Sequence, residues 1–188
     1  MPSTAQANPH VGQSPVPEPV RLATAVWFLI LGLELLHQVM SMVMLFLDPS
    51  ELRHRAHEQL SDHPDPSVTP QMFDAAIYTS IVFTGLLAIV IMLGVAGAVF
   101  VYRSGGKRAA TMRRMLTFFG IYFVIRTVFL YGMSPDSSVV PVGVYIFDGA
   151  LQILVGVGAA LALYFSSRKE SLHWVGDPAV DRADRNDR

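Results

Sequence analysis

Four long apolar blocks dominate this chain, and they constrain its fold more than any other feature of the sequence. The predicted spans lie at about 22–47, 72–102, 113–132 and 141–166. About 17 to 25 apolar residues in a helix cross a hydrocarbon core of about 30 Å, and each block reaches that length. Backbone groups must be paired within lipid, so such blocks form helices, whereas a barrel needs alternating segments of about 10 residues. The sequence therefore predicts an all-α integral membrane protein, an antiparallel four-helix bundle.

The composition of the chain favours the same class. Of its 188 residues, 52% are hydrophobic and 15% are charged, whereas about a quarter of the residues in soluble domains are charged. There is no cysteine, which excludes disulfides, thiolate metal sites and thiol nucleophiles. Among the basic residues only Lys107 and Lys169 are lysines, and this arginine bias, with frequent Ala, Val and Pro, favours a high-GC bacterium. We therefore predict a multi-pass protein of a bacterial plasma membrane.

The chain divides into three predicted parts. Residues 1–20 contain five prolines and too little apolar surface to offset the entropy of ordering, so we expect a disordered tail. Residues 21–167 form the four-span domain. Residues 168–188 alternate acidic and basic side chains near their end, which is typical of a solvated tail.

Between the first two spans we predict a short external helix at about 49–61. Asp48 is a suitable N-cap, and Pro49 suits the first helical position. One narrow apolar stripe follows at four-residue spacing, formed by Leu52, Ala56 and Leu60. Charged and histidine side chains surround this stripe, so we expect an amphipathic helix on the membrane surface or over the mouth of the bundle.

Lys and Arg are distributed unequally between the two sides of the predicted bundle. With four spans, both tails and the middle loop share one side, and that loop holds Arg103, Lys107, Arg108, Arg113 and Arg114. This side carries eleven basic residues, whereas the other side carries only Arg53 and Arg55. Cytoplasmic loops are enriched in Lys and Arg, so we predict that both termini are cytoplasmic. The basic loop then faces anionic lipid head groups.

Four ionisable side chains lie inside the predicted spans. They are Glu34 and His37 in the first span, Arg126 in the third and Asp148 in the fourth. A charge at the centre of a membrane helix costs about 2.5 to 3.5 kcal/mol on insertion scales, so such residues usually have partners. We predict one buried polar cluster in the outer half of the bundle, formed by Glu34, His37, Gln38, Arg126, Asp148 and Gln152.

We expect Arg126 and Asp148 to form an ion pair within this cluster. At a rise of about 1.5 Å per residue, they lie about 9 and about 10 Å from the outer ends of two consecutive antiparallel spans. Two interpretations of the pair stay open. It is a structural clamp that fixes helix packing, or, with Glu34 and His37, it belongs to a functional site.

A second candidate site lies at the outer mouth of the bundle. Asp74 and Tyr78 are four residues apart and share a helix face near the start of the second span. An enzyme that acts on lipid-linked substrates usually has ionisable residues at the interface. Asp74 and the outer mouth are therefore the candidate site for such an activity.

Small residues recur at four-residue spacing in two of the spans. The pairs are Gly94 with Ala98, Gly156 with Ala160, and Gly158 with Ala162. Such pairs allow two helices to approach closely. They fit either packing inside one bundle or contact between two copies of the chain.

No motif in the sequence specifies a reaction, so we assign no catalytic residue, no metal site and no cofactor. The leading hypothesis is a non-catalytic accessory or scaffold subunit of a larger envelope or respiratory complex. Its partners are then membrane lipids and other membrane subunits or further copies of itself, and not nucleic acid. The first alternative is a small proton- or ion-coupled transporter or channel that uses the buried cluster. The second is a lipid-modifying membrane enzyme.

Overall fold

In the computed structural model of the protein, residues 15–62, 69–130 and 139–176 are described, and every regular element among them is a helix. The helices are α1 (Glu18–Leu47), α2 (Ser50–Asp62), α3 (Pro70–Ser104), α4 (Lys107–Phe129), α5 (Val142–Ser166) and α6 (Lys169–Trp174). The predicted all-α class is therefore confirmed for this part of the chain.

Three of these helices, α1, α3 and α5, are long and apolar enough to cross a membrane. α4 is not among them, because basic residues recur along its 23 residues. They are Lys107, Arg108, Arg113, Arg114 and Arg126. The structure thus supports a membrane protein, and the fourth span stays a prediction.

The four long helices contact one another in a ring. α1 packs against α5 and α3, and α4 packs against the same two helices. α1 and α4 are therefore diagonally opposite each other. The chain reverses between α3 and α4 at Gly105 and Gly106, whose φ angles of +76° and +81° lie in the region that glycine adopts without strain.

A core of fully buried side chains lies where the α3–α4 turn meets the start of α1. We call this the basic end, because the basic first turns of α4 begin there. Val20 of α1 and Val99 and Tyr102 of α3 are fully buried in this core. Apolar burial at this end fixes the first turns of α1 against the last turns of α3.

α6 packs against the basic end. The backbone N–H of Gly106 donates to the carbonyl oxygen of Trp174 at 3.4 Å, and Val175, just after α6, is fully buried. The prediction that the whole of 168–188 is a solvated tail is therefore wrong for residues 168–176, which are folded against the long helices. Residues 177–188 lie outside the described part of the chain.

At the opposite end, α2 covers the segment predicted at 49–61 and contacts the first turn of α3. Nη2 of Arg53 lies 3.0 Å from Oδ1 of Asp74. The ring of His57 stacks on the ring of Phe73, with centroids 4.2 Å apart. These contacts hold the amphipathic helix against α3.

Two predicted boundaries are corrected by the structure. α1 begins at Glu18, so residues 18–20 are helical and do not belong to a tail. α4 begins at Lys107, so most of the predicted basic loop is the first part of a helix. Residues 1–14 of the predicted N-terminal tail fall outside the described residues, and so do residues 131–138, which include the end of the third predicted span and most of the connection to the fourth.

Close packing between α4 and α5 depends on Gly156. A Cβ atom on Gly156 would lie 2.1 Å from Oγ1 and 2.7 Å from Cβ of Thr127, so no rotation of the Thr127 side chain relieves the overlap. A Cβ atom on Gly158 would lie 3.1 Å from Ile30 of α1, whereas one on Gly94 would meet nothing within 4 Å. Two of the three predicted small pairs therefore contribute a glycine to packing within one chain.

Replacing Gly156 with alanine should destabilise the protein by about 1 to 3 kcal/mol, because overpacking forces α4 and α5 apart. The measurement is the midpoint of thermal unfolding of the purified protein in detergent. Gly149→Ala is the matched control, since it lies in the same helix and its Cβ would meet nothing within 4 Å. The control should keep or raise the midpoint. Equal midpoints for the two variants would contradict the close contact at Gly156.

Candidate functional site

An ion pair and a histidine–carboxylate hydrogen bond occupy the interior of the four long helices. Arg126 of α4 binds Glu34 of α1 with both Nη atoms: Nη1 donates to Oε1 at 2.7 Å and Nη2 donates to Oε2 at 2.8 Å. Nδ1 of His37, also on α1, lies 2.6 Å from Oδ1 of Asp148 on α5. An ionised carboxylate only accepts hydrogen bonds, so His37 is the donor. α1 is therefore joined to both α4 and α5.

Two glutamine side chains complete the hydrogen bonding of the carboxylates. Nε2 of Gln38 donates to Oε1 of Glu34 at 3.2 Å, and Nε2 of Gln152 donates to Oδ2 of Asp148 at 2.9 Å. Each glutamine lies four residues after its partner and on the same helix face. All six residues of the predicted buried polar cluster thus belong to two neighbouring hydrogen-bonded groups.

The predicted partner of Arg126 is wrong. The depths of Arg126 and Asp148 suggested an ion pair between α4 and α5, whereas Arg126 binds Glu34 and Asp148 binds His37. Rise per residue gives the depth of a Cα atom in the membrane and not the direction of its side chain. The long side chain of Arg126 also carries its charge away from its own backbone, across to the diagonally opposite helix.

The carboxylates are buried more deeply than the nitrogen-bearing side chains that bind them. The side chains of Glu34 and Asp148 are 5% and 9% exposed, whereas those of His37 and Arg126 are 13% and 20% exposed. The guanidinium carbon of Arg126 lies 5.4 Å from the ring centroid of Phe123, within the range of a cation–π contact. A buried carboxylate that loses its partner is strongly unfavourable, so removing Arg126 or His37 should destabilise the contact between the helices that they join.

Beside the Glu34–Arg126 pair lies a crevice that we did not predict from the sequence. Its volume is about 410 Å³, and side chains of α1, α3 and α4 line it. No residue of α3 between Ile81 and Val95 is buried, and the crevice lies beside Ala88, Ile91 and Met92 of this stretch. One wall is aromatic and consists of Phe118, Phe119, Tyr122 and Phe123. This paired spacing of aromatic residues along α4 is the sequence signal that could have revealed the crevice.

The remaining predicted residues have partners outside the cluster. Asp74 pairs with Arg53 of α2, and Tyr78 stacks on Phe46 at the end of α1, with centroids 5.9 Å apart. The structure therefore does not bring the outer-mouth residues to the buried pairs. Near the α3–α4 turn, the side chains are exposed at Arg103, Arg108 and Arg114. The side chain of Arg113 is half-buried. The side chain of Lys107 lies outside the described part.

The chemistry that the buried pairs allow is limited and specific. In the described ranges, no three His, Asp or Glu side chains converge so that they could hold a metal ion. The pairs can clamp helices together, share a proton between His37 and Asp148, and present the guanidinium of Arg126 to the crevice. These three capabilities define the functions that the cluster supports.

Comparison with known proteins assigns no family to this chain. No protein-family model matches the sequence, no curated protein matches it, and no solved structure matches the fold. The function is therefore argued from the helices, the two buried pairs and the crevice alone.

Replacing Arg126 with methionine should destabilise the protein by about 3 to 5 kcal/mol, because Glu34 is then buried without its cation. Adding Glu34→Gln should recover much of this loss, since it removes the unpaired charge. The midpoint of unfolding in mixed detergent micelles measures both effects.

Asp148→Asn in the Arg126→Met background is the matched comparison. It should give no recovery, because Asp148 pairs with His37 and not with Arg126. Recovery with Asp148→Asn and none with Glu34→Gln would contradict the pairing in the structure.

Proposed function

We propose that this chain is a four-span protein of a bacterial plasma membrane and a non-catalytic accessory or scaffold subunit of a larger envelope or respiratory complex. The bidentate pair between Glu34 and Arg126 carries the proposal. It joins α1 to the diagonally opposite α4, while His37 and Asp148 join α1 to α5. Helices fixed by internal polar pairs form a rigid body, as a scaffold requires when its outer faces contact other subunits.

The distribution of charge in α4 is compatible with a fourth span. Its first eight residues, 107–114, hold four of its five basic residues. At the level of the lipid head groups these side chains interact favourably with anionic lipids. Beyond Arg114, the charge within α4 is that of Arg126, and Glu34 compensates it. α4 can therefore place its basic turns at one interface and residues 115–129 in the hydrocarbon.

The excess of Lys and Arg supports an orientation in which the basic end is cytoplasmic. Since the chain has no cysteine, single-cysteine variants can test this directly. Ser50→Cys, at the start of α2, should react with a membrane-impermeant maleimide in intact cells. Ser104→Cys, at the end of α3, should react only after the membrane is permeabilised. The reverse pattern, or equal labelling, would contradict the proposed topology.

α3 supplies the face that we assign to a partner subunit. It is the longest helix, with 35 residues, and it packs against α1 and α4. Its outward side chains include Phe83 and Leu93, which are 65% and 67% exposed. Lipid covers such a face equally well, so the partner has to be tested directly.

The tagged native protein, extracted from its own membranes in mild detergent, should be recovered in stoichiometric amounts with a larger membrane complex. Phe83→Ala with Leu93→Ala should reduce this recovery, because both changes remove apolar contact area from the outer face of α3. Leu154→Ala with Val157→Ala is the matched control, since both residues are 54% exposed on α5. Recovery of the protein alone, or only with itself, would contradict the accessory role.

A small proton-coupled transporter or channel is the second candidate, and one observation favours it. Glu34, Gln38 and Arg126 line the crevice, and His37 lies one helical turn from Glu34 and pairs with Asp148. Ionisable groups thus follow one another from the crevice to α5. A Glu34→Gln variant that keeps full proton-coupled transport in proteoliposomes would exclude this relay. No comparable observation favours a lipid-modifying enzyme, because Asp74 is paired with Arg53.

A further inference from the structure

We propose that the crevice beside the Glu34–Arg126 pair binds a membrane-soluble molecule with a neutral, planar, carbonyl-bearing ring and an apolar tail. This is the chemistry of the quinone class. The inference concerns the isolated chain, so it stands or falls independently of the accessory role proposed above.

The shape of the crevice suits a ligand that enters from the hydrocarbon. Its volume of about 410 Å³ lies within the range of small-molecule sites. It lies between α1, α3 and α4, and two of its lining residues, Phe118 and Ile91, are 76% and 47% exposed. On the proposed membrane topology these exposed side chains face lipid. An apolar tail can therefore extend through this opening while the head group lies inside.

The walls of the crevice favour a planar ring. α4 contributes four aromatic side chains, and they are Phe118, Phe119, Tyr122 and Phe123. Aromatic side chains pack favourably against a flat conjugated ring in offset-stacked or edge-to-face arrangements. The facing residues are aliphatic or thioether side chains, including Leu31, Met92 and Val95. Met in particular adapts to irregular shapes, so this wall can close on either face of a ring.

The polar groups at the crevice favour an acceptor on that ring. A guanidinium carries five N–H donors. Arg126 uses one on Nη1 and one on Nη2 to bind Glu34. The phenol of Tyr122 also lines the crevice. The Arg126 side chain is 20% exposed and lines the crevice, so N–H donors remain for a ligand. A carbonyl oxygen is the acceptor that they match.

Charge balance at the crevice favours a neutral head group. Glu34 already compensates Arg126 in a bidentate pair. A carboxylate or phosphate head group would be repelled by Glu34, and an ammonium head group would compete with Arg126. Either would also bring an uncompensated charge into a site of low dielectric constant, where such charges are least favourable. A ring carbonyl accepts hydrogen bonds without carrying that charge.

Equilibrium binding to the purified full-length protein in detergent, measured by calorimetry, tests the proposal with three probes. Decylubiquinone should bind saturably and at least tenfold more tightly than decylbenzene, which keeps the tail and lacks the carbonyl groups. It should also bind at least tenfold more tightly than decanoate, which carries an anionic head. Equal binding of decylbenzene, or tighter binding of decanoate, would overturn the proposed head-group chemistry, as would no saturable binding of decylubiquinone.

The Ala88→Phe variant tests whether the ligand binds in the crevice. Ala88 lines the crevice, so the added ring should fill the space and weaken decylubiquinone binding at least tenfold. Leu87→Phe is the matched control, because Leu87 is the neighbouring residue, is 49% exposed and does not line the crevice. Equal binding by the two variants would overturn the location.

A second measurement covers the case in which Ala88→Phe lowers the thermal midpoint. An azido derivative of the same quinone, photo-cross-linked to the wild-type protein, should label peptides of α3 or α4 that line the crevice. Labelling should fall in the presence of excess decylubiquinone. Labelling confined to other helices, or labelling that excess probe does not reduce, would overturn the proposal.

Discussion

The arrangement of the described helices depends on the ion pair between Glu34 and Arg126. A buried charge without its partner is strongly unfavourable, so Glu34 and Arg126 have to meet where α1 and α4 face each other across the ring of helices. Their bidentate geometry restricts rotation of both helices more than a single contact between charges does. Once Glu34 faces inward, helical spacing places His37 and Gln38 on the same face. His37 can then reach Asp148 on α5.

The Glu34–Arg126 pair also lies between two differently packed sides of the protein, a closely packed side at α5 and a side at α3 that contains the crevice. On the α5 side, Gly156 allows close contact with Thr127 of α4, and Gln152 and His37 satisfy Asp148. On the α3 side, the crevice lies between α1, α3 and α4. Fixed helices on one side and an opening on the other suit a scaffold that also holds a small membrane-soluble molecule. In this account the ion pair contributes to both roles.

Several of these features could be predicted from the sequence, and others could not. The long apolar blocks predict helices, because backbone groups in lipid can pair only with one another. Ionisable residues are rare within such blocks and need partners there, so the sequence predicts that Glu34, Arg126 and Asp148 cluster. The pairing of Arg126 could not be predicted, because spacing gives depth and not direction. The folded segment around α6 was missed for a related reason. Trp174 hydrogen-bonds to Arg103 and Gly106 at a turn far away in the chain, and local charge alternation says nothing about those contacts.

The most direct measurement of the central claim is a solid-state NMR dipolar coupling in lipid bilayers. The protein would carry ¹⁵N in the guanidinium of its arginines and ¹³C in its side-chain carboxylates, with Arg126→Lys and Glu34→Gln variants to assign the signals. The account predicts a strong coupling between the Arg126 guanidinium nitrogens and the Glu34 carboxylate carbon, and none between Arg126 and Asp148. A strong coupling to Asp148, or to neither carboxylate, would contradict it.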